Sequence, residues 1–180
     1  GNATMYEYNS QNRLVKVTDA ASGETTLGYD LAGNVVSRTD ASQNEIQYEY
    51  DTLGRKVKET QPDPDGAGPL PAPVTKFEYD VVGNVTKQIR VIDPATSPDS
   101  DRATAFQYDA LNRKIKETLP DPDGTGPLTS PVIQYEYDVA GNWAKVIDPL
   151  GRETLYEYDI LNRKIKETLP DPDGAGALTA

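Results

Sequence analysis

The chain contains no cysteine and no histidine among its 180 residues. The first absence excludes disulfides, thiolate metal sites and thiol chemistry. The second removes the commonest general base and the commonest transition-metal ligand. Neither decides the compartment, because a cysteine-free chain suits the cytosol and many secreted bacterial proteins alike. Methionine and tryptophan occur once each, and aromatic residues make up 8%. The hydrophobic content of 36% is low for a single globular core. No long apolar run is present to span a membrane, and no basic-plus-apolar signal peptide opens the chain. Lysine and arginine number 18 against 29 acidic residues, a formal net charge of −11. That balance argues against nucleic acid and against insertion into or binding to anionic membranes, which need a cationic face.

What the sequence does contain is a repeat. The run Tyr135-Glu136-Tyr137-Asp138-Val139-Ala140-Gly141-Asn142 recurs with small edits seven times. The copies centre on Tyr8, Tyr29, Tyr50, Tyr79, Tyr108, Tyr137 and Tyr158, at steps of 21, 21, 29, 29, 29 and 21 residues. All eleven tyrosines fall inside a copy. Self-similarity at a fixed period signals a repeat architecture. Each unit of such an array buries its apolar surface mainly against its neighbours, so a modest apolar content suffices. Residues 1–180 are read as one array without separate domains.

Each copy opens with alternation. Tyr48-Glu49-Tyr50 reads apolar, polar, apolar, as do the runs at Tyr6/Tyr8, Phe77/Tyr79, Phe106/Tyr108, Tyr135/Tyr137 and Tyr156/Tyr158; the second copy has Leu27-Gly28-Tyr29. A period of two puts both aromatics on one face of a strand, and aromatics favour the half-buried surface of a sheet. Four punctuating residues follow, such as Asp51-Thr52-Leu53-Gly54 and Asp109-Ala110-Leu111-Asn112, with Asn9-Ser10-Gln11-Asn12 departing from the pattern. Asp or Asn at the first position bonds the backbone two residues on. Gly or Asn at the fourth tolerates the left-handed conformation. The pattern predicts a type I turn closed by a G1 bulge. The chain then returns through a second alternating strand such as Lys114-Ile115-Lys116, with Val57 and Ile165 in the place of Ile115. The lysines of the return strand are expected beside the glutamates that lie between the tyrosines, as cross-strand ion pairs. The fold class is therefore all-β: seven antiparallel hairpins forming a curved, twisted strip.

The run Tyr-x-Tyr-Asp-x-x-Gly followed by Asn or Arg resembles the tyrosine-aspartate (YD) repeats of the Rhs family. The resemblance extends over essentially the whole chain. That family includes bacterial polymorphic toxins, shell components of insecticidal toxin complexes and the teneurins of animals. It implies a strip of hairpins wound into a hollow, spiralling shell, and a secreted or cell-surface location. In shell-forming relatives catalysis belongs to a toxin cargo domain and to a self-cleaving segment that closes the shell. Neither segment's motifs are recognisable here, so no active site transfers.

Two kinds of copy alternate. One follows the turn with Arg55-Lys56, Arg113-Lys114 or Arg163-Lys164, with Arg13 alone in the first copy. The other carries Gly33-Asn34, Gly83-Asn84 or Gly141-Asn142. Residues 108–127 and 158–177 are near duplicates, so the genetic unit reads as a pair of hairpins. Short connections such as Asp148-Pro149-Leu150-Gly151 carry the type I signature, and Asp19 to Gly23 and Asp40 to Asn44 are similar. Longer ones contain Pro62-Asp63-Pro64-Asp65-Gly66, Pro120-Asp121-Pro122-Asp123-Gly124 and the different Asp93 to Asp99. Proline concentrates there because it cannot donate to a ladder, and the loops are expected at the rims. Both ends read as cut from a longer array, which leaves edge-to-edge self-association open.

Chemistry is sparse. The repeated Tyr-Asp pair invites an acid–base reading, but catalysis needs unlike environments, and here equivalent positions repeat one turn rule. Asp63 with Asp65, and Asp121 with Asp123, are the calcium candidates, matching the start of an EF-hand-type loop. Proline between the aspartates, a missing third oxygen ligand and no bidentate glutamate count against them. Tyr6, Tyr8, Tyr48, Tyr50 and their equivalents could stack on sugars, although aromatics in alternating strands usually supply burial. Trp143 stands where Val35 and Val85 stand in equivalent copies and is expected to pack. No phosphate loop, nucleophile elbow or metal-ligand cluster is present. The expected role is structural: a module of a large Rhs-type protein that encapsulates or presents an attached domain, with neighbouring repeats as its partners. No catalytic or cofactor-binding residue is assigned. The alternatives are a carbohydrate-binding adhesion module and an end-to-end extracellular fibre.

Overall fold

The computed structural model describes residues 3–66, 68, 70–91, 102–123 and 126–171. Fourteen strands and no α-helix are found among the described residues. They succeed one another as β1 (Met5–Tyr8), β2 (Leu14–Thr18), β3 (Glu24–Tyr29), β4 (Val35–Thr39), β5 (Glu45–Tyr50), β6 (Lys56–Thr60) and β7 (Val74–Tyr79). Then come β8 (Val85–Val91), β9 (Ala103–Tyr108), β10 (Lys114–Thr118), β11 (Val132–Tyr137), β12 (Trp143–Ile147), β13 (Glu153–Tyr158) and β14 (Lys164–Thr168). Hydrogen-bonded neighbours follow chain order from β1 to β7 and from β9 to β14. The all-β array of hairpins expected from the alternation is what the chain forms.

Two compact units divide the chain, Gly1–Glu78 with Gln88–Asp99, and Tyr79–Lys87 with Ser100–Ala180. In the first unit each strand from β1 to β7 is antiparallel to the next. In the second the same holds from β9 to β14.

One irregularity recurs in both units. Glu49 faces Lys58 but Tyr50 faces Lys56, so Val57 has no partner across the ladder. The same step leaves Val15, Val36, Ile115, Ala144 and Ile165 unopposed. A bulge of this kind opposes two residues to one and re-aims the side chains around it. Its consequence for the lysines departs from simple alternation. The second lysine behaves as expected: Lys58 meets Glu49 at 2.7 Å, Lys145 meets Glu136 at 2.8 Å and Lys166 meets Glu157 at 2.8 Å. The first lysine does not join the glutamates between the tyrosines. Lys56 lies over the rings of Tyr48 and Phe77, and Lys114 over Phe106 and Tyr135. The extra residue of the bulge restores it to the aromatic face.

The turns match the sequence rule. The fourth punctuating residue has a left-handed φ in all seven copies, at Asn12, Gly33, Gly54, Gly83, Asn112, Gly141 and Asn162. Within the third copy the Gly54 amide donates to the Asp51 carbonyl at 3.0 Å, and the Asp51 amide donates to the Arg55 carbonyl at 2.9 Å. Short connections repeat this geometry with Ser22 (φ 68°), Gln43 (φ 65°) or Gly151 (φ 78°) at the left-handed position. Two long connections are pinned at their base, the Gln61 amide to the Pro73 carbonyl and the Leu119 amide to the Pro131 carbonyl, both at 2.8 Å. The Asp93 to Asp99 connection lies outside the described residues.

Deep burial is scarce. Ile89 and Val91, each 5% exposed, are the buried apolar side chains among the described residues. Stability is distributed over many half-buried contacts between adjacent hairpins, as an array requires.

Candidate functional site: the tyrosine–aspartate corner

Each corner is built on its aspartate. Asp51 Oδ1 accepts the Leu53 amide at 2.9 Å and the Arg55 amide at 3.0 Å. Asp51 Oδ2 is left over, and Arg55 Nε donates to it at 2.7 Å. Asp109 with Arg113 and Asp159 with Arg163 repeat the arrangement at 2.7 Å. In the other kind of copy asparagine supplies that donor: Asn34 Nδ2 reaches Asp30 Oδ2 at 2.9 Å, Asn84 reaches Asp80 at 2.9 Å and Asn142 reaches Asp138 at 3.0 Å. The short connections use the same device, Asn44 on Asp40 and Arg152 on Asp148. Asn and Arg are thus two answers to one requirement, which the sequence displayed as two kinds of copy without a reason for either.

These bonds stabilise the charged carboxylate. Side-chain donation from the asparagine holds Asp30, Asp80 and Asp138 below the ordinary carboxyl value. The backbone amide of the arginine does the same first for Asp51, Asp109 and Asp159. Partial burial pushes the hydroxyls of Tyr50 and Tyr108 above their ordinary value. The two groups of the Tyr-Asp pair therefore move away from neutrality in opposite directions. A general acid–base pair working near pH 7 needs the reverse.

The tyrosine of the pair ties one hairpin to the one before it. Tyr29 donates its hydroxyl to the Leu14 carbonyl at 2.6 Å, and Tyr50 to the Val35 carbonyl at 2.9 Å. Tyr108 reaches the Val85 carbonyl at 2.9 Å, and Tyr137 the Lys114 carbonyl at 2.7 Å. In every case the acceptor is the first residue of the preceding return strand. That carbonyl sits beside the bulge, where the ladder is interrupted. Corners also join side to side. Asn84 Nδ2 donates to Asn112 Oδ1 at 3.1 Å, and Asn142 Nδ2 to Asn162 Oδ1 at 3.0 Å. Arg13 donates to the Asp30 carbonyl at 3.1 Å and stacks on the Tyr29 ring, as Arg113 stacks on Tyr137. None of these contacts between copies follows from periodicity, which ranks residues within a copy and is silent on what the next copy presents.

The aromatic face carries cations. Lys114 bonds Glu117 Oε2 at 2.7 Å, and that same oxygen accepts the Tyr135 hydroxyl at 3.1 Å. Trp143 takes a place in this row, its ring 5.5 Å from Tyr135, and keeps 46% of its surface exposed. Tyr48 and Tyr50 are half-buried, while Tyr6 and Tyr8 on β1 are exposed. The second turn position, not singled out from the sequence, is apolar and fully exposed at Leu31, Val81, Val139 and Ile160; the turn rule leaves that position unconstrained.

The aspartates of the long loops are brought together only as neighbours in a turn. Asp63 Oδ1 accepts the Asp65 amide at 3.2 Å, and Asp65 Oδ2 accepts the Leu70 amide at 3.2 Å. Asp121, Asp123 and Leu128 repeat this at 3.2 and 3.1 Å. No group of three or more Asp, Glu, His or Cys placed to hold a metal ion occurs among the described residues.

Fold and corner together define a β-hairpin repeat scaffold, a structural class in which side-chain chemistry holds neighbouring copies together. The RHS repeat family model matches residues 8–45, 29–66 and 137–175, more than half of the chain, and the chain belongs to that family. Among solved structures it is similar to TcdB2-TccC3-Cdc42, at 19% identity and a TM-score of 0.51, over 89% of this chain and 10% of that one. It is also similar to TcdB2-TccC3 without the hypervariable C-terminal region, at 18% identity and a TM-score of 0.52, over 90% and 10%. A mutant of the Photorhabdus luminescens Tc holotoxin pore matches at 18% identity and a TM-score of 0.50, over 93% and 10%. These likenesses are of fold, and the chain spans about a tenth of each of those chains. No curated protein sequence matches.

Proposed function

We propose that residues 1–180 act as one continuous wall segment of a large, secreted or surface-exposed Rhs-type protein, which encloses or presents an attached domain. The observation that carries this reading is the corner itself. Its aspartate, its asparagine or arginine and its tyrosine are all engaged in joining backbone to backbone or copy to copy. Little is left over for turnover, and the segment is inferred to have no activity of its own. The matched structures, whose names are those of Tc toxin assemblies, support a shell as the setting.

In this reading the function is mechanical. Hairpins add side by side, with Tyr29, Tyr50, Tyr108 and Tyr137 bonding back to the previous return strand, and curvature of the strip forms a wall. The carbohydrate alternative needs free ring faces, whereas cations already cover Tyr29, Tyr48, Phe77, Tyr135 and Tyr137. Electron cryomicroscopy of the natural protein that carries this segment tests the proposal. The expected map shows the hairpins side by side in a wall around enclosed density. Hairpins strung out as a solvated stalk would overturn it. A glycan screen with and without a chelator separates the alternative: no retained glycan is expected, and micromolar, chelator-sensitive binding would replace the structural reading.

A further inference from the structure

The aromatic face has two kinds of gap between successive rings. In one kind a lysine of the chain fills the gap and serves the ring on either side. Lys56 lies 5.6 Å from the Tyr48 ring centre and 5.1 Å from that of Phe77. Lys114 lies 5.6 Å from Phe106 and 4.7 Å from Tyr135, and Lys164 lies 5.5 Å from Tyr156. Each of these lysines is paired with a glutamate three residues on: Lys56 with Glu59 at 2.5 Å, Lys114 with Glu117 at 2.7 Å and Lys164 with Glu167 at 2.5 Å. In the other kind of gap a half-buried valine, Val35 or Val85, takes the lysine's place. β12 departs from both. Trp143 stands in the lysine's place, and Val146, facing Tyr135 as Glu117 faces Phe106, stands in the glutamate's.

This gap therefore holds an extra ring and lacks a cation of its own. The cations of the described residues stand over tyrosine and phenylalanine rings, and none stands over Trp143. β12 is paired with β11 on one side and with β13 on the other. The 46% exposure of Trp143 is thus exposure of the sheet's face and owes nothing to either end of the chain. The indole is the ring that attracts cations best, and Tyr135 stands beside it, tilted by 33° at 5.5 Å. The flanking lysines oppose a further cation only weakly, because Glu117 and Glu167 already balance them. The array's own arginines show which cation suits its rings: Arg13 stacks 4.8 Å from the Tyr29 centre and Arg113 4.5 Å from that of Tyr137. A guanidinium is planar and weakly hydrated, so it stacks at less desolvation cost than an ammonium. We propose that Trp143, with Tyr135 beside it, is the seat for an arginine side chain of a basic polypeptide. The formal net charge of −11 draws such a partner to the surface, and Trp143 fixes where one of its arginines rests.

Trp143 is the chain's single tryptophan, so its fluorescence reports on the seat directly. The probe is an acetylated, amidated peptide of three arginines spaced by glycines. The control is the same peptide with citrulline, the uncharged isostere, in place of each arginine. At low ionic strength the arginine peptide is expected to change the Trp143 emission saturably, with a half-point below about 1 mM. In its NMR spectrum the δ-methylene protons of arginine are expected to shift upfield, the mark of stacking on a ring. The citrulline peptide is expected to do neither. Trp143→Val installs the residue found in the same place at Val35 and Val85 and leaves the charge unchanged; circular dichroism checks its sheet. Trp143→Lys, which copies the arrangement at Lys114, is the second variant and fills the seat with a cation of the chain itself. Calorimetric titration of either variant is expected to give about fivefold weaker binding of the arginine peptide, the worth of one exposed cation–π contact, and the upfield shift is expected to vanish. An emission unchanged up to about 1 mM peptide would overturn the proposal. So would a citrulline peptide that binds as well as the arginine one. Variants that bind the arginine peptide as tightly as the original would leave only a general attraction to an acidic surface, and would overturn it too. None of these outcomes bears on whether the segment forms part of a shell wall.

Discussion

The fifth residue of the corner alternates without exception along the chain: Arg13, Asn34, Arg55, Asn84, Arg113, Asn142, Arg163. In six of the seven copies it returns a side-chain donor to the second aspartate oxygen. In the first copy Asn9 replaces the aspartate and offers one acceptor oxygen, and Arg13 turns instead to the next corner, at the Asp30 carbonyl. Asparagine corners also reach the following corner, as Asn84 does to Asn112. The requirement at this position is a donor, not a particular residue. Asn142→Arg is therefore expected to leave the Asp138 carboxyl low, whereas Asn142→Leu lets it rise toward its ordinary value of 3.8. A carboxyl titration followed by NMR reads the difference. An Asp138 that titrates identically in both variants would remove this reason for the alternation.

At the scale of the hairpin, the turn is legible in the sequence, because its two constrained positions carry residue types that little else explains. The hydrogen bonds around Asp51 and the left-handed Gly54 are the geometry that the sequence implied. The first lysine of the return strand was not legible. Alternation placed Lys56 with the glutamates, and the bulge at Val57 returned it to the aromatics. A period-two pattern cannot register a single extra residue. The tyrosine bonds between hairpins were equally hidden, since their acceptors are backbone carbonyls and leave no mark in the sequence. Two short connections still depart from the rule of Gly or Asn at the left-handed position, at Ser22 (φ 68°) and at Gln43. Gln43 holds φ at 65° where Gly151 holds the equivalent place at 78°. A left-handed conformation strains a residue that carries a Cβ, so Gln43→Gly is expected to stabilise by about 1 kcal/mol, net of glycine's greater freedom when unfolded. Denaturant titration checks it, and a lower midpoint would contradict the turn assignment. The pair Gly28 and Ser37 is a further local departure, standing opposite each other where Glu49 faces Lys58. Installing both charges with G28E/S37K is expected to recover about 0.2–1 kcal/mol of coupling in a double-mutant cycle. Zero coupling would mean that the ion pairs are incidental to pairing.

Across the whole molecule, the same carboxylate environment recurs at Asp30, Asp40, Asp51, Asp80, Asp109, Asp138, Asp148 and Asp159, each held below the ordinary value. A group whose value is depressed in the fold contributes stability that is full above its unfolded value and is lost as pH falls through the folded one. Melting temperature should therefore hold steady near neutrality and fall steeply below about pH 4. A curve flat down to pH 2 would show that the corners contribute nothing to the fold. Repetition makes these small terms add. It also explains why the architecture is legible in one chain: the repeated residues serve the contact with the neighbouring copy.

The central claim is that the corner tyrosines Tyr29, Tyr50, Tyr108 and Tyr137 hold one hairpin to the one before it. Urea unfolding of Tyr29→Phe, Tyr50→Phe, Tyr108→Phe and Tyr137→Phe, with Tyr8→Phe on exposed β1 as the reference, measures this directly at dilute concentration. Each of the four variants is predicted to lose about 0.5–1.5 kcal/mol, the net worth of one hydrogen bond, while the reference loses nothing. Four variants as stable as the reference would contradict the account.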